Sequence, residues 1–309
     1  MPDMDGAEPS GTLPAVTLHD NELPIDAALV RRLLADQMPQ WSELPLRRLE
    51  SSGTVNVAYR LGGDKLVRLP RSTDFAQGPQ REARWLPTFA PKVPLEVPSY
   101  LAVGTPTEAY PSHWSVLGWI EGKPADSSTL HDLQEAASAL GEFVVALRKV
   151  PTEGAPKDGN YRAFGLAKAD RDLRRWVEQL PIDIDRGAVL AVWESCLLAG
   201  EWNGPPTWLH SDLRGDNLIA RNGRLVGVID WEGCTVGDPS ADYLPAWWLF
   251  NQDSREDFRS TSSARYPDWL RAKGWALHMA VVAIPYYTDT NPMLTSQART
   301  ALNEILNDE

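Results

Sequence analysis

The chain has 309 residues, 43% of them apolar, enough for one large or two modest domains with a substantial core. Its net charge of −12 argues against a nucleic-acid partner, and its two distant cysteines, Cys196 and Cys234, imply neither a disulfide framework nor a zinc site and suit a reducing cytoplasm. No apolar run reaches the roughly eighteen residues of a membrane helix, and the polar start MPDMDGAEPSGTLPAV lacks the basic end of a signal peptide, so residues 1–24 are expected to be a frayed tail.

Residues 26–38 place Leu29, Leu33 and Leu34 at helical spacing. Strand-like runs follow: LRRLESSG, TVNVAYRL, a turn at Gly62-Gly63, and KLVRLP. The small residues Ser51, Ser52, Gly53 and Thr54 suit a backbone that closes over phosphates, which makes Ser52, Gly53 and Thr54 candidate nucleotide contacts. Residues 80–89 read as a short helix whose Glu82, fourteen residues after Arg68, can form an ion pair with it. The apolar run Trp114–Ile120 leads into the loop signal Glu121-Gly122-Lys123-Pro124.

Beyond that loop the pattern is helical. Ser127 or Ser128 can cap a helix in which Leu130, Leu133, Ala137, Leu140, Val144 and Leu147 form one stripe. Further helices are expected near 167–180 and 187–200. Asp238 caps, and Pro239 opens, a helix over PSADYLPAWWLF, and two long helices near 267–287 and 291–307 close the chain.

The stretch Trp208–Asp242 carries the chemistry. Asn222-Gly223 between two apolar runs predicts a two-residue type I′ hairpin, because both residues tolerate positive φ. Counting back from that turn pairs Asn217 with Val228 and puts Asn217 and Asp230 on one face as diagonal neighbours. Two such oxygen donors are enough for Mg²⁺, which takes its remaining ligands from water and phosphate. Asp212 lies just before the first strand, where a hydroxyl could reach it, so Asp212 is the candidate base. Arg214 is the candidate cation beside a transferring phosphoryl group, and Asn217 and Asp230 are the candidate metal ligands. His210 is expected to hold the loop rather than move protons. An acceptor beside Asp212 would lie under the last helices, with Glu232 and Asp289 suited to an amine, Asn291 to a hydroxyl, and Trp247, Trp248, Tyr286 and Tyr287 to stacking. Residues 1–120 carry a net −3 and residues 121–309 a net −9, so the second half could attract a cationic substrate.

At these residues the sequence resembles the aminoglycoside phosphotransferase family. HSDLRGDN resembles its H-G-D-x-x-x-x-N loop, IDWEG its I-D-F/W metal strand, and GDPSAD its G-D-P-x-x-D segment. RLGGDKLVRLPR, REARWLP, YPSHWSVLGWIEGKPA and AIPYYTDTNP are also similar, so the resemblance covers nearly the whole chain after about Ile25. It implies an α+β, two-lobed, protein-kinase-like fold: a small antiparallel-sheet lobe with a helix over 1–117, a hinge over 118–122, and a larger, mainly helical lobe over 123–309. It further implies ATP or GTP with Mg²⁺ as cofactors, the backbone of Gly118, Trp119 and Ile120 against the purine, and a small-molecule hydroxyl as acceptor.

That acceptor would be an aminoglycoside, macrolide or nucleoside antibiotic; choline, ethanolamine and sugar kinases share the central motifs. No D-F-G or A-P-E of a protein kinase is present. The sequence departs from the family at Ser211, where Gly is usual, and at Arg68, where a phosphate-binding Lys is expected. Arg keeps the charge with a different geometry, and this departure also supports a non-catalytic nucleotide-binding module. Glu232 follows the Asp-Trp pair, as in choline-kinase-like relatives.

Overall fold

The computed structural model describes residues 21–49, 54–156 and 161–308; the tail up to residue 20 and the loop residues Ser52 and Gly53 lie outside them. The elements, in chain order, are α1 (Ala27–Gln37), β1 (Leu46–Arg48), β2 (Asn56–Leu61), β3 (Lys65–Pro70), α2 (Gly78–Phe89), β4 (Tyr100–Gly104), β5 (Trp114–Gly118), β6 (Lys123–Pro124), α3 (Leu133–Arg148), α4 (Asp170–Val177) and α5 (Arg186–Leu197). They continue as β7 (Thr207–Leu209), β8 (Leu218–Arg221), β9 (Arg224–Val228), β10 (Thr235–Gly237), α6 (Pro245–Trp248), α7 (Gln252–Thr261), α8 (Tyr266–Tyr287) and α9 (Pro292–Leu306). The architecture is α+β and two-lobed, an antiparallel sheet beside a helical body.

The first lobe is one antiparallel sheet of order β1-β2-β3-β5-β4. α1 starts where Asp26 accepts the Leu29 N–H at 2.7 Å, and its buried Leu29, Val30, Leu33 and Leu34 pack on Val57, Tyr59, Val67 and Leu69. Side chains alternate along a strand. With Val67 and Leu69 against α1, Arg68 points to the opposite face, and the Ala58–Arg68 and Asn56–Pro70 pairings put Asn56 on that face too. α2 joins the two lobes. Glu82, Trp85, Leu86 and Phe89 form its buried stripe; Trp85 and Phe89 pack against Trp208 of the second lobe, and Phe89 stacks on Trp231.

The chain leaves the first sheet after Gly118 and enters β6, which pairs with β8. α8 is the axis of the helical body. It packs on α5 and α9 and buries residues on all sides, from Trp269 to Ile284. No helix among the described residues is long and apolar enough to cross a membrane.

Four local expectations need correction. α3 is capped by Asp132, whose side chain accepts from Gln134 and Glu135, and not by Ser127 or Ser128. Asp126 draws the Ser128 and Thr129 N–H groups into a turn of its own, and Leu130 bridges to Gly223 instead of joining the helix. PSADYLPAWWLF forms a 3₁₀ turn over Pro239–Tyr243 and then the short α6, because Pro245 has no N–H to continue a single helix. α7 was not anticipated, since its sequence QDSREDFRST offers Phe258 as its only large apolar anchor.

The fourth correction bears on the site. Asn222 and Gly223 have φ of 53° and 83°, as a type I′ turn requires. A bulge between Ile219 and Ala220 shifts the register, so that Leu218, not Asn217, faces Val228. Asn217 belongs to a 3₁₀ turn over Gly215–Asn217, and its carbonyl accepts the Ile229 N–H at 2.9 Å.

Candidate active site

The loop between β7 and β8 is held from below by one buried carboxylate. Asp242 accepts the backbone N–H groups of His210 at 2.8 Å and Ser211 at 2.7 Å. Ser211 has φ of 75°, the left-handed conformation that explains why related loops use Gly there, and its hydroxyl donates to the Gly233 carbonyl at 3.0 Å. On the far side the Ala125 N–H donates to the Gly215 carbonyl at 3.0 Å. Burial pushes Asp242 up to about 7, against the pull of the two N–H groups. An amide in its place presents only one acceptor oxygen, so one buried N–H would face a donor. Asp242→Asn is expected to lower the unfolding free energy by about 1–3 kcal/mol in urea titration; an unchanged midpoint would show that the loop is anchored by other groups.

His210 is a scaffold residue. Its Nδ1 lies 3.3 Å from the Asp212 N–H, which donates to it, so the proton sits on Nε2 and is donated to the Ile229 carbonyl at 2.9 Å. Burial lowers its pKa and keeps it neutral, outweighing Asp212 and Asp230.

Asp212 faces the cleft. Its Oδ1 lies 3.2 Å from Arg162 Nη1 and 3.5 Å from Arg214 Nε, while Oδ2 accepts from Asn217 Nδ2 at 3.1 Å. Burial raises its pKa, but Arg214 and Arg162 outweigh burial and hold the carboxyl below its ordinary value. An ionised, oriented carboxylate can accept a hydroxyl proton. The cleft measures about 410 Å³ and includes Thr54, Asp74, Arg81, Tyr161, Arg162, Asp212, Arg214, Asp230, Glu232 and Tyr287 in its lining.

Across the cleft, Asp230 ends the β9 segment in the left-handed region, at φ 67° and ψ 64°. A non-glycine residue held there marks a locally strained backbone of the kind found at functional sites. The adjacent Trp231 N–H donates to Glu82 Oε1 at 2.7 Å. Arg68 is the hub of this side, with Nη1 at 3.0 Å and 3.2 Å from the two oxygens of Glu82 and Nη2 at 2.6 Å from Asp230 and 2.9 Å from Glu232. Burial lowers the pKa of Arg68, but the three carboxylates more than offset it. Burial raises the pKa of Glu232, with Glu82 and Asp230 adding to the rise and Arg68 opposing it.

The expected residues fall into two groups. The structure gathers Thr54, Arg68, Glu82, Asp212, Arg214, Asn217, Asp230, Glu232 and Tyr287 around one cleft. Glu232 nevertheless engages Arg68 and Asn56 rather than presenting a free carboxylate to an acceptor amine. Trp247 is buried in the helical core, donates to Asp308 at 2.9 Å and packs on Trp269, so it does not line the cleft. Asp289 is exposed beyond α8 and is also outside the lining, while Asn291 caps α9 by accepting from Leu294. Asp238 has the structural role expected of it: it caps Ser240 and binds Arg271 Nε at 2.7 Å.

In the interlobe segment, the Gly118 N–H is taken by the Ser99 carbonyl and the Trp119 N–H by the Asp64 carbonyl. Neither is open to a purine, which leaves Ile120 as the expected donor. Arg162 was missed. It comes from a 3₁₀ turn over Tyr161–Phe164 with no motif around it, and no sequence signal points to it. The wall formed by Met279, Val282 and Ala283 was readable only as helical core, because its spacing on α8 is that of any buried stripe.

A small antiparallel sheet over a helical body, with the cleft between them carrying a half-buried acid on one side and Arg68 on the other, is a kinase-like fold. Residues 46–275 match the phosphotransferase enzyme family, APH, and the chain belongs to it. The GDP and kanamycin complex of the aminoglycoside phosphotransferase APH(2″)-IIIa superimposes with a TM-score of 0.72 at 19% identity, covering 90% of this chain and 98% of that one. Macrolide 2′-phosphotransferase MphH from Brachybacterium faecium, as apoenzyme, superimposes with a TM-score of 0.59 at 21% identity, covering 93% and 99%. At these identities the likeness is one of fold. The uncharacterized protein YcbJ of Bacillus subtilis (strain 168) is 22% identical over 201 residues, covering 60% of this chain and 63% of that protein, so the match spans less than two thirds of that relative.

The donor set fits a magnesium ion. Glu82, Asp230 and Glu232 share the single guanidinium of Arg68, and Asp230, the most exposed of the three, is the oxygen donor open to a cation. The Asn217 amide commits its nitrogen to Asp212, so its oxygen is the atom that could take a cation.

Proposed function

We propose that the protein transfers the γ-phosphate of ATP or GTP to a hydroxyl of a small natural product. The observation that carries this reading is Asp212, a carboxylate kept ionised by Arg162 and Arg214 and oriented by Asn217 at the lining of the cleft. Asp212 takes the hydroxyl proton as the oxygen attacks, and the guanidinium of Arg214 stabilises charge on the transferring group. Mg²⁺, held by Asn217 and Asp230, would neutralise phosphate charge. Arg68 and Glu82 supply the phosphate-side ion pair.

The lining favours an acceptor that is not a polycation. Its carboxylates, Asp74, Asp212, Asp230 and Glu232, are offset by Arg81, Arg162 and Arg214. Met279, Val282, Ala283 and Leu294 give an apolar wall beside Asp212. A hydroxylated compound with an apolar face, of the macrolide type, suits this lining better than an aminoglycoside, choline or a simple sugar. A nucleotide-consumption screen over macrolides, aminoglycosides, nucleosides, choline and sugars tests both levels of the reading. The highest kcat/KM is expected for a macrolide-type acceptor; a preference for polycations contradicts the acceptor assignment, and no transfer to any hydroxyl contradicts the kinase assignment.

A further inference from the structure

Two features of the sequence meet in one place: an arginine, Arg68, where a lysine was expected, and a carboxylate, Glu232, two residues after Asp230. A guanidinium has two outer nitrogens, and here they are divided. Nη1 is taken by both oxygens of Glu82, at 3.0 Å and 3.2 Å, and Nη2 lies between Asp230 at 2.6 Å and Glu232 at 2.9 Å. An ammonium is a single point donor and has no planar fork to share in this way. Asp230 is also a candidate metal ligand. Glu232 Oε1 is buried and receives no hydrogen bond among the described residues, so once a cation draws on Asp230 it is the carboxylate oxygen to which Nη2 can turn.

Three further details are built around Glu232. Its Oε2 accepts from Asn56 Nδ2 at 3.2 Å, on the same sheet face as Arg68. Asn56 opens β2, just beyond Thr54 of the expected phosphate loop. Gly78, the first residue of α2, leaves room for the carboxylate, since a Cβ there would lie 2.6 Å from Oε2. The side chain is only 8% exposed and ties the second lobe to the sheet.

We propose that Glu232 is a positioning residue of the nucleotide site, which aims Nη2 of Arg68 at the phosphates, and that Arg68 and Glu232 act as a matched pair in place of a lone lysine. The proposal rests on the phosphotransferase reading for the identity of the ligand, but its test does not require transfer. Dissociation constants of Mg-ATP and Mg-GTP are measured by calorimetry, without acceptor, on wild type, Glu232→Gln, Arg68→Lys and the double variant. Glu232→Gln is expected to weaken nucleotide binding about tenfold in the wild-type background and less than about twofold further in the Arg68→Lys background, as coupled neighbours in a double-mutant cycle do. In steady state the loss should appear in the nucleotide KM more than in kcat.

Asn56→Ala frees the other oxygen of Glu232 and reads the same coupling, about threefold and only with Arg68 present, should Glu232→Gln fold poorly. Equal losses in both backgrounds, or no loss in either, would overturn the pairing, as would a wild type that binds neither nucleotide. A coupled loss in binding from a wild type that phosphorylates no acceptor would uphold the pairing and sink the kinase reading alone.

Discussion

Asp212→Ala is expected to lower kcat by roughly 10²–10⁴-fold, the usual worth of a positioned general base, while nucleotide affinity stays within about twofold, because the arginine that faces the phosphates is held by other carboxylates across the cleft. The separation follows from the geometry. Asp212 touches Arg162, Arg214 and Asn217, and Arg68 touches Glu82, Asp230 and Glu232; Asn217 links the two sets, and in the alanine variant it keeps its hydrogen bond to the backbone carbonyl of residue 212, at 2.9 Å. Kinetics at saturating nucleotide, with a parallel binding titration, check both halves. Equal losses in kcat and in nucleotide affinity would mean that Asp212 organises the nucleotide site rather than serving the acceptor.

The second large effect is expected at Gly215, which lies between the base and Asn217. A Cβ at this position would stand 2.3 Å from the Ala125 carbonyl oxygen. That atom belongs to the backbone, on a residue already hydrogen-bonded to the Gly215 carbonyl, so the clash cannot be relieved by a rotamer change. Gly215→Ala must therefore move the loop that carries Asp212, Arg214 and Asn217. A displacement on the order of 1 Å can cost about 100-fold in rate, and kcat is expected to fall by about that factor with a lower melting temperature. Wild-type kinetics in this variant would show that the loop tolerates displacement and that the base is not positioned through this contact.

Which residues meet at the cleft was legible in the sequence further than how they are arranged. Asp212, Asn217 and Asp230 could be named from residue types and spacing, and the Asn222-Gly223 turn from its backbone preference. The register could not, because a turn sets only the nearest pairs and the bulge after Ile219 lies beyond them. Arg68 and Glu82 were paired correctly because a strand and the next helix bring them together over a short loop. Glu232 was assigned to the acceptor because its partners, Arg68 and Asn56, come from the other lobe and leave no local trace. Arg162 was invisible for the same reason. Trp247 shows the converse limit: an aromatic residue near a motif is as often core, and here its indole N–H is satisfied by Asp308 at the end of the chain. Ser211 was noted as a departure, and its φ of 75° shows the backbone constraint behind the glycine it replaces.

The most direct test of the account is phosphorus NMR of the product formed from Mg-ATP or Mg-GTP and a macrolide-type acceptor, with wild type and Asp212→Ala run side by side. A new phosphomonoester resonance is expected from wild type, growing with nucleoside diphosphate and nearly absent for the variant. Orthophosphate alone from wild type, or the same phosphomonoester yield from Asp212→Ala, would contradict it.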